Sequence, residues 1–282
     1  MLTDYHTHLR PDDIAATAGE YFTAANAERY REAAGERGIA ELGVSEHIHR
    51  FRQALEVWQH PFWQENALDD LDDYCQFVRH DTDLRLGIEA DFVPGAEDRI
   101  ANLLHARDFD YVVGSVHFLR DQALDMDEWS VWSQARSAED VWRRYFQTLG
   151  EAARSGLFDI LAHPDLVKVW GPTDPQRPLP EGDLRRYYEL AMDGIAESVI
   201  AIEVSTAGLR KRAHEIYPAP AFLEMCLEAG CPVALSSDAH RPEDIGADYE
   251  QALELLERLG VGELCVFEHR QRRLQATGAG VL

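Results

Sequence analysis

The sequence predicts a single α/β domain with parallel strands, and three observations support this prediction. The chain has 282 residues, and no change in composition marks a boundary between two halves. Apolar residues make up 45% of it, enough to build a full hydrophobic core. Short apolar runs alternate with amphipathic segments long enough to be crossover helices, as in parallel α/β folds. We therefore expect one domain over residues 1–282.

The apolar runs predict seven strands, and an eighth run at 263–267 could add one more. The seven predicted strands are 2–9, 39–46, 85–92, 111–118, 158–161, 199–205 and 232–237. The amphipathic segments between them predict helices, because their apolar residues recur at helical spacing. These helices are 15–37, 138–153, 183–197, 220–229 and 249–259.

Three segments do not fit this alternation and are predicted to be rim insertions. They lie near 50–81, 120–137 and 170–182; the first two are rich in tryptophan and the third contains several prolines. Irregular segments of this kind usually lie at the functional rim of a rigid scaffold.

The charge balance bears on the class of partner. The chain has 27 Lys and Arg against 51 Asp and Glu, a net charge of −24. Such an acidic protein repels polyphosphate backbones, so we do not expect a nucleic-acid substrate. A small anion held by metal ions remains compatible with this charge, because the ions reverse the local sign.

Other features indicate a cytoplasmic protein without a membrane partner. No apolar run is long enough to span a bilayer, and the first residues do not follow the pattern of an export signal. The four cysteines lack zinc-finger spacing and are expected to be reduced thiols. They are Cys75, Cys226, Cys231 and Cys265.

The histidines are concentrated at one kind of position. Of 12 histidines, seven lie at or just after the carboxyl ends of predicted strands, in the stretches DYHTHL, VSEHIH, GSVHFL, LAHPDL and SSDAHR. In a parallel α/β barrel these ends share the face where ligands bind, so the imidazoles should converge. The seven are His6, His8, His47, His49, His117, His163 and His240.

Two spacings and one buried acid indicate that this cluster binds metal. His6 and His8 alternate along an extended chain and can hold one ion together; Asp238 and His240 repeat that spacing. Glu89 ends an apolar strand in LGIEADF, where an unpaired acid is costly, and no basic residue adjoins it. The pattern leaves open whether His49 is a ligand.

Seven motifs in order resemble the polymerase and histidinol phosphatase (PHP) family, especially its histidinol-phosphatase branch. They are DYHTHL, SEHIH, GIEADF, SVHFLR, AHPDL, IEVSTAGLRK and SSDAHR, and they cover residues 4–241. The resemblance implies a distorted TIM-like barrel of seven β/α units, the PHP fold. It also implies two or three divalent ions of Mn, Fe or Zn at the carboxyl ends of the strands.

The resemblance further implies a set of metal ligands. His6, His8, Glu89 and Asp238 would hold one ion, and Glu89, His117 and His163 a second. His47 and His240 would hold the third with a residue from the loop after His8. Where the family carries a histidine in that loop, this chain has Ile14, so we expect Asp13 or, alternatively, Asp12 to replace it.

The resemblance also implies a substrate and a reaction. The expected substrate is histidinol phosphate, hydrolysed in histidine biosynthesis by a hydroxide that bridges the metal ions and attacks phosphorus in line. Arginine and lysine are suited to phosphate, and the stretch IEVSTAGLRK presents both. The expected catalytic residues are Glu89, Asp238, His117 and Arg210. The expected substrate-binding residues are Ser205, Arg210, Lys211 and Arg120.

Four other functions remain as alternatives. One is a PHP phosphoesterase that acts on a nucleotide or sugar phosphate, and another is a PHP exonuclease, which the acidic composition disfavours. A regulatory module without catalysis would be expected to have lost more of the ligands. A metal-dependent amidohydrolase would need a bridging lysine, for which Lys168 is a less natural candidate than Glu89. The sequence makes no prediction of oligomeric state.

Overall fold

Seven parallel strands form the central sheet of the computed structural model, which describes residues 1–12 and 17–277. Most of their residues are buried on both faces, which explains why the strands are continuous apolar runs. In sheet order the strands are β1 (Leu2–Asp4), β2 (Ile39–Val44), β3 (Arg85–Asp91), β4 (Tyr111–Ser115), β7 (Ile160–Leu161), β8 (Ala201–Ser205) and β9 (Val233–Ser236).

Ten α-helices lie in the described part of the chain. The longest, α6, begins after Ser137, whose side chain accepts a hydrogen bond from the Asp140 N–H and so caps the helix. The helices are α1 (Ala18–Tyr21), α2 (Ala24–Glu36), α3 (Pro61–Asn66), α4 (Leu71–Asp81), α5 (Glu97–His105), α6 (Ala138–Arg154), α7 (Arg185–Ser198), α8 (Ala207–Arg210), α9 (Pro220–Glu228) and α10 (Tyr249–Arg258).

The sheet closes into a barrel between its first and last strands. Just after β1, Thr7 pairs in parallel with Ala239, which follows β9. The N–H of His8 donates to the Ala239 carbonyl at 2.8 Å, and the N–H of Ala239 donates to the His6 carbonyl at 3.3 Å. The carboxylate of Asp4 accepts from the Ser237 N–H at 3.0 Å. This seam brings residues from the two ends of the sequence side by side.

Two antiparallel hairpins stand apart from the barrel sheet. One is formed by β5 (Phe118–Leu119) and β6 (Gln122–Ala123), within the second rim insertion. The other is formed by β10 (Glu263–Glu268) and β11 (Gln271–Ala276).

The second hairpin covers the amino-terminal end of the barrel. In its turn, the N–H of Arg270 donates to the Asp110 carbonyl, which directly precedes β4. Phe267 of β10 packs against Tyr5 and Tyr111 inside the barrel, with ring centroids 5.7 and 6.2 Å apart. This end is therefore filled by aromatic side chains, and the opposite end is left for the functional site.

The predicted fold class is confirmed, and the differences from the predicted elements are local. The eighth apolar run forms β10 of the covering hairpin and is not a barrel strand. The segment 50–81 was predicted to be an insertion, but it ends in α4, a regular helix whose Asp70 side chain accepts from the N–H groups of Asp72 and Asp73. Helix α5 was not predicted, and the segment 15–37 contains two helices rather than one.

Among the described residues, no helix combines the length and the apolar character that crossing a membrane would require. All four cysteines lie in the described part of the chain, and each is a free thiol.

Candidate metal centre

The carboxyl ends of six strands bring most of the predicted ligands into one cluster. Two adjacent imidazoles in this cluster, those of His8 and His240, stack with centroids 4.2 Å apart. His163 and Asp238 have positive φ angles of 24° and 50°, a conformation that side chains other than glycine rarely adopt. The ligand candidates gathered here are His6, His8, His47, Glu89, His117, His163, Asp238 and His240.

A first group of four atoms has the spacing of a metal coordination shell. The Nε2 atom of His6 lies 3.3 Å from Oε2 of Glu89 and 3.7 Å from Oδ1 of Asp238. The Nε2 atom of His8 lies 3.6 and 3.4 Å from the same two oxygens. Ligands about 2.1 Å from an ion in tetrahedral geometry are about 3.4 Å apart, so one ion fits among these atoms.

Glu89 faces a second set of imidazoles with its other oxygen. Its Oε1 atom lies 3.4 Å from Nε2 of His117 and 3.2 Å from Nε2 of His163. Its Oε2 atom, which faces His6 and His8, also lies 2.5 Å from Nδ1 of His47. Glu89 is therefore placed so that each of its oxygens could contact a different ion.

A third group contains His8, His47 and His240. The Nε2 atom of His240 lies 3.2 Å from Oδ1 of Asp12, which also accepts from Arg50 at 2.9 Å. Asp12, the alternative choice from the sequence, thus lies next to the third group, and its role as a ligand stays a prediction. Asp13, the first choice from the sequence, lies outside the described residues.

The buried polar atoms of the cluster fit divalent cations. Nε2 of His6, Nε2 of His8, Oε2 of Glu89 and Oδ1 of Asp238 are buried and make no hydrogen bond with any described residue. Leaving buried polar atoms unpaired costs free energy, and a cation that these atoms coordinate would remove that cost. Mixed imidazole and carboxylate ligands suit Mn, Fe or Zn.

The charges within the cluster also favour a cation. Burial would raise the pKa of Glu89, but the surrounding imidazoles, His47 first, hold it well below its usual range. Burial would lower the pKa of His117, but Glu89 and Asp91 raise it to about 10. For His8, burial and the neighbouring imidazoles lower the pKa well below its usual range. The carboxylates are therefore kept ionised by positive charge, which metal ions can supply in place of protons.

A second layer of carboxylates orients the imidazoles. Nδ1 of His6 lies 2.7 Å from Glu203, and Nδ1 of His117 lies 2.8 Å from Asp91. Glu203 also accepts from the backbone N–H of His163 at 2.5 Å and from the Ser236 hydroxyl at 2.6 Å. With a metal ion bound, such contacts would keep the remaining proton of each imidazole on Nδ1 and direct Nε2 at the ion. Sequence analysis missed both acids, although Asp91 lies two residues after Glu89, and Glu203 interrupts a buried apolar strand.

We expect Glu203→Gln to weaken metal affinity about 10- to 100-fold, because Gln keeps the size of the side chain but not the negative charge that orients His6. Competition with a chromophoric chelator would measure the affinity. Glu254→Gln, on the exposed surface of α10, is the matched control and should leave the affinity unchanged. Equal affinities for the two variants would contradict an orienting role for Glu203.

The cluster lies at the base of a cavity of about 530 Å³. All three predicted insertions contribute to its wall: Phe62 and Asn66 come from the first, Asp125 and Met126 from the second, and Trp170 from the third. His49 also lines the cavity and stacks on His47 with centroids 4.9 Å apart, but it belongs to none of the candidate ligand groups.

The four predicted phosphate-binding residues do not lie together at the cavity. Of the four, Lys211 lines the cavity. The guanidinium of Arg210 turns away and donates to the Ser237 carbonyl at 2.5 Å. The hydroxyl of Ser205 is buried and accepts from the Ala207 N–H at 3.3 Å. Arg120 lies in the turn of the β5–β6 hairpin, beside a separate surface depression.

The cavity contains three arginines that sequence analysis did not select. Segments at the barrel rim place them at the wall, where each forms an ion pair with an acid, and no sequence motif marks such positions. They are Arg10, Arg50 and Arg212.

Lys168 lies outside the candidate ligand groups. Its ammonium group is buried and pairs with Asp165 at 2.8 Å and Glu215 at 2.7 Å. The bridging position of a metal-dependent amidohydrolase therefore has no lysine here, since Glu89 occupies the centre of the cluster.

Comparison with known proteins identifies the family. The model of the PHP domain family matches residues 20–207. A probable histidinol-phosphatase of Deinococcus radiodurans is 35% identical over 249 residues, which cover 86% of this chain and 90% of that protein. The chain belongs to the PHP domain family. The histidinol-phosphatase of Bacillus subtilis is a more distant relative, 29% identical over 204 residues that cover 67% of this chain and 75% of that protein.

A solved structure shares this PHP fold. It is the crystal structure of a histidinol phosphate phosphatase from Lactococcus lactis in complex with zinc, L-histidinol and phosphate. The two chains superpose with a TM-score of 0.72 at 17% identity, over 96% of this chain and 98% of that one. This likeness shows that the two chains share one fold over nearly the whole of each.

Proposed function

We propose that this protein is a metal-dependent phosphomonoesterase that hydrolyses histidinol phosphate to histidinol and inorganic phosphate. The observation that carries the proposal is a cavity lined by candidate metal ligands, beneath which the buried Glu89 has imidazoles facing both of its carboxylate oxygens. Its relatives named above, which are described as histidinol-phosphatases, support the choice of substrate. The enzyme would then act in histidine biosynthesis, in the cytoplasm.

Two or three divalent ions of Mn, Fe or Zn would occupy the cluster. His6, His8, Glu89 and Asp238 would hold the first ion, and Glu89, His117 and His163 the second. A third would contact His47, His240 and Asp12, the described acid next to them. Ions held in this way supply the Lewis acidity that activates water as a nucleophile and neutralises phosphoryl oxygens.

The residues of the chain contribute positioning and charge. Lys211 would bind the phosphate as a point charge, because its ammonium group has no partner among the described residues and lines the cavity. Arg210 would act indirectly, since its bond to the Ser237 carbonyl fixes the chain one residue before Asp238. Such fixed geometry lowers the entropic cost of reaching the transition state.

A nucleic-acid substrate is less compatible with this cavity. The net charge of −24 disfavours polyphosphate binding. Three of the four cations at the cavity wall are already paired with acids. A small phosphate monoester needs fewer free cations than a nucleic-acid backbone.

Phosphate release from a panel of monoesters tests the proposal. Protein loaded separately with Mn, Fe(II) or Zn would be assayed with histidinol phosphate, glycerol phosphate, a nucleoside monophosphate and a sugar phosphate. We expect kcat/KM to be at least about tenfold higher for histidinol phosphate than for the others. Equal or faster turnover of the nucleotide or the sugar phosphate would instead favour the alternative phosphoesterase function.

A further inference from the structure

Asp125 is a charged residue of the cavity wall that the proposed reaction does not yet use. It lies in the second rim insertion, next to Met126, and lines the same cavity as His117 and Phe118. Its side chain is half-buried and has neither a hydrogen bond nor an ion pair with any residue in 1–12 or 17–277. A carboxylate without a partner in a partly enclosed cavity can bind a cationic ligand strongly.

Most other charges at the cavity wall are already compensated. Outside the metal cluster, the paired side chains are Arg10 with Asp69 at 2.5 Å, Arg50 with Glu46 at 2.6 Å and Asp12 at 2.9 Å, and Arg212 with Asp174 at 3.3 Å. Among the described residues of the wall, this leaves Lys211 as the cation and Asp125 as the anion without an ion-pair partner, although the charge of Asp125 contributes to the raised pKa of His117. The cavity thus offers separate sites for a negative and a positive group of one ligand.

The backbone next to Asp125 is held in place by three hydrogen bonds. The carbonyl of Leu124 accepts from the indole N–H groups of Trp132 at 3.1 Å and Trp170 at 2.7 Å. The N–H of Leu124 donates to the His117 carbonyl at 2.9 Å. These bonds connect the position of Asp125 to a metal-ligand candidate and to the third rim insertion. A carboxylate fixed in this way loses little entropy when it binds.

We propose that Asp125 binds the positively charged group of the substrate's alcohol moiety and thereby selects phosphate esters of amino alcohols over esters of neutral alcohols. This inference rests on the proposed function, because it assumes that the phosphate lies at the metal cluster. Phosphate bound there and near Lys211 directs the alcohol moiety toward the open part of the cavity, whose wall includes Asp125. The rings of Phe118 and Trp170 line that wall and exclude water, which strengthens the ionic contact.

The test compares Asp125→Asn with the wild-type protein on esters that differ in charge. The substrates are histidinol phosphate, phosphoethanolamine and glycerol phosphate. In the first two the alcohol moiety is cationic, and in glycerol phosphate, which is similar in size to phosphoethanolamine, it is neutral; they are called cationic and neutral esters below for that reason. For the two cationic esters, we expect kcat/KM to fall about 10- to 100-fold, mainly through KM, because a charge-assisted hydrogen bond is lost. For glycerol phosphate, the change should stay below about threefold.

Asp121→Asn provides the matched control, because Asp121 is exposed in the same rim insertion and does not line the cavity. This variant should behave as the wild type does on all three esters. An equal loss of kcat/KM on cationic and neutral esters would mean that Asp125→Asn damages the structure, and it would overturn the inference. Unchanged kinetics on all three esters would overturn it as well.

The two proposals can fail separately in this experiment. If the wild-type protein did not hydrolyse histidinol phosphate but hydrolysed other esters, the proposed function would fail. The ratio of phosphoethanolamine to glycerol phosphate turnover would still decide the role of Asp125. Inhibition by histidinol gives a second measurement: we expect its inhibition constant to rise about 10- to 100-fold in Asp125→Asn.

Discussion

Replacement of Glu89 by Gln is expected to lower kcat about 10³-fold or more and to reduce the metal content of the purified protein. The side chain contacts both halves of the cluster, with Oε2 3.3 Å from His6 and Oε1 3.4 Å from His117. Gln has nearly the same shape, but it is neutral, and an N–H₂ group takes the place of one oxygen. A 10³-fold loss corresponds to about 4 kcal/mol of transition-state stabilisation.

The measurement pairs steady-state kinetics with elemental analysis. Glu254→Gln makes the same chemical change on an exposed helix surface and should keep full metal content and turnover. His105→Gln, also exposed, controls for the loss of an imidazole outside the cluster. A Glu89→Gln protein with normal metal content and normal kcat would rule out Glu89 as the bridge.

Removal of the metal ions is expected to abolish turnover, with a loss at least as large as that of Glu89→Gln. The buried atoms of His6, His8, Glu89 and Asp238 that make no hydrogen bond would lose their shared cation, and with it the Lewis acid that activates water. Stepwise addition of Mn, Fe(II) or Zn to chelator-treated protein should restore activity after two or three equivalents. The number of equivalents would report how many sites act in catalysis.

Full turnover by protein that elemental analysis shows to be free of metal would contradict the proposed chemistry. Recovery after one equivalent would instead limit the catalytic requirement to a single site. The Glu203→Gln variant can be compared with the wild-type protein in the same titration, because it keeps all the ligand candidates but orients the imidazole of His6 less well. We expect that variant to need a higher metal concentration for the same recovery.

The sequence predicts the barrel well because parallel strands buried on both faces leave a clear apolar signal. It predicts α6, α7, α9 and α10 to within two residues at each end, because their amphipathic patterns are regular. It does not predict α4 as a helix, because the Asp-rich start of that segment resembles a loop, although Asp70 is in fact its cap. The covering hairpin also escapes prediction, since β11 is exposed along its whole length.

The metal cluster is more predictable than the substrate cavity. Ligand candidates are marked locally, by alternate-residue spacing or by an acid in an apolar strand, and the fold then brings these positions together. The contacts of Arg210 depend instead on the loop after β9, and Asp125 gains its position from two indoles, one of which, Trp170, lies in another insertion. Contacts between loops distant in sequence leave no periodic pattern, so only the structure locates these residues.

Hydrogen bonds between residues 6–8 and 239 join strands that stand more than 200 positions apart in the sequence. That junction is flanked by four ligand candidates, His6, His8, Asp238 and His240. An ion bound to them would therefore also hold the first strand and the last strand together. Metal loading and completion of the barrel are thus linked thermodynamically. The free energy by which a bound ion would stabilise the closed barrel equals the free energy by which barrel closure would strengthen the binding of that ion.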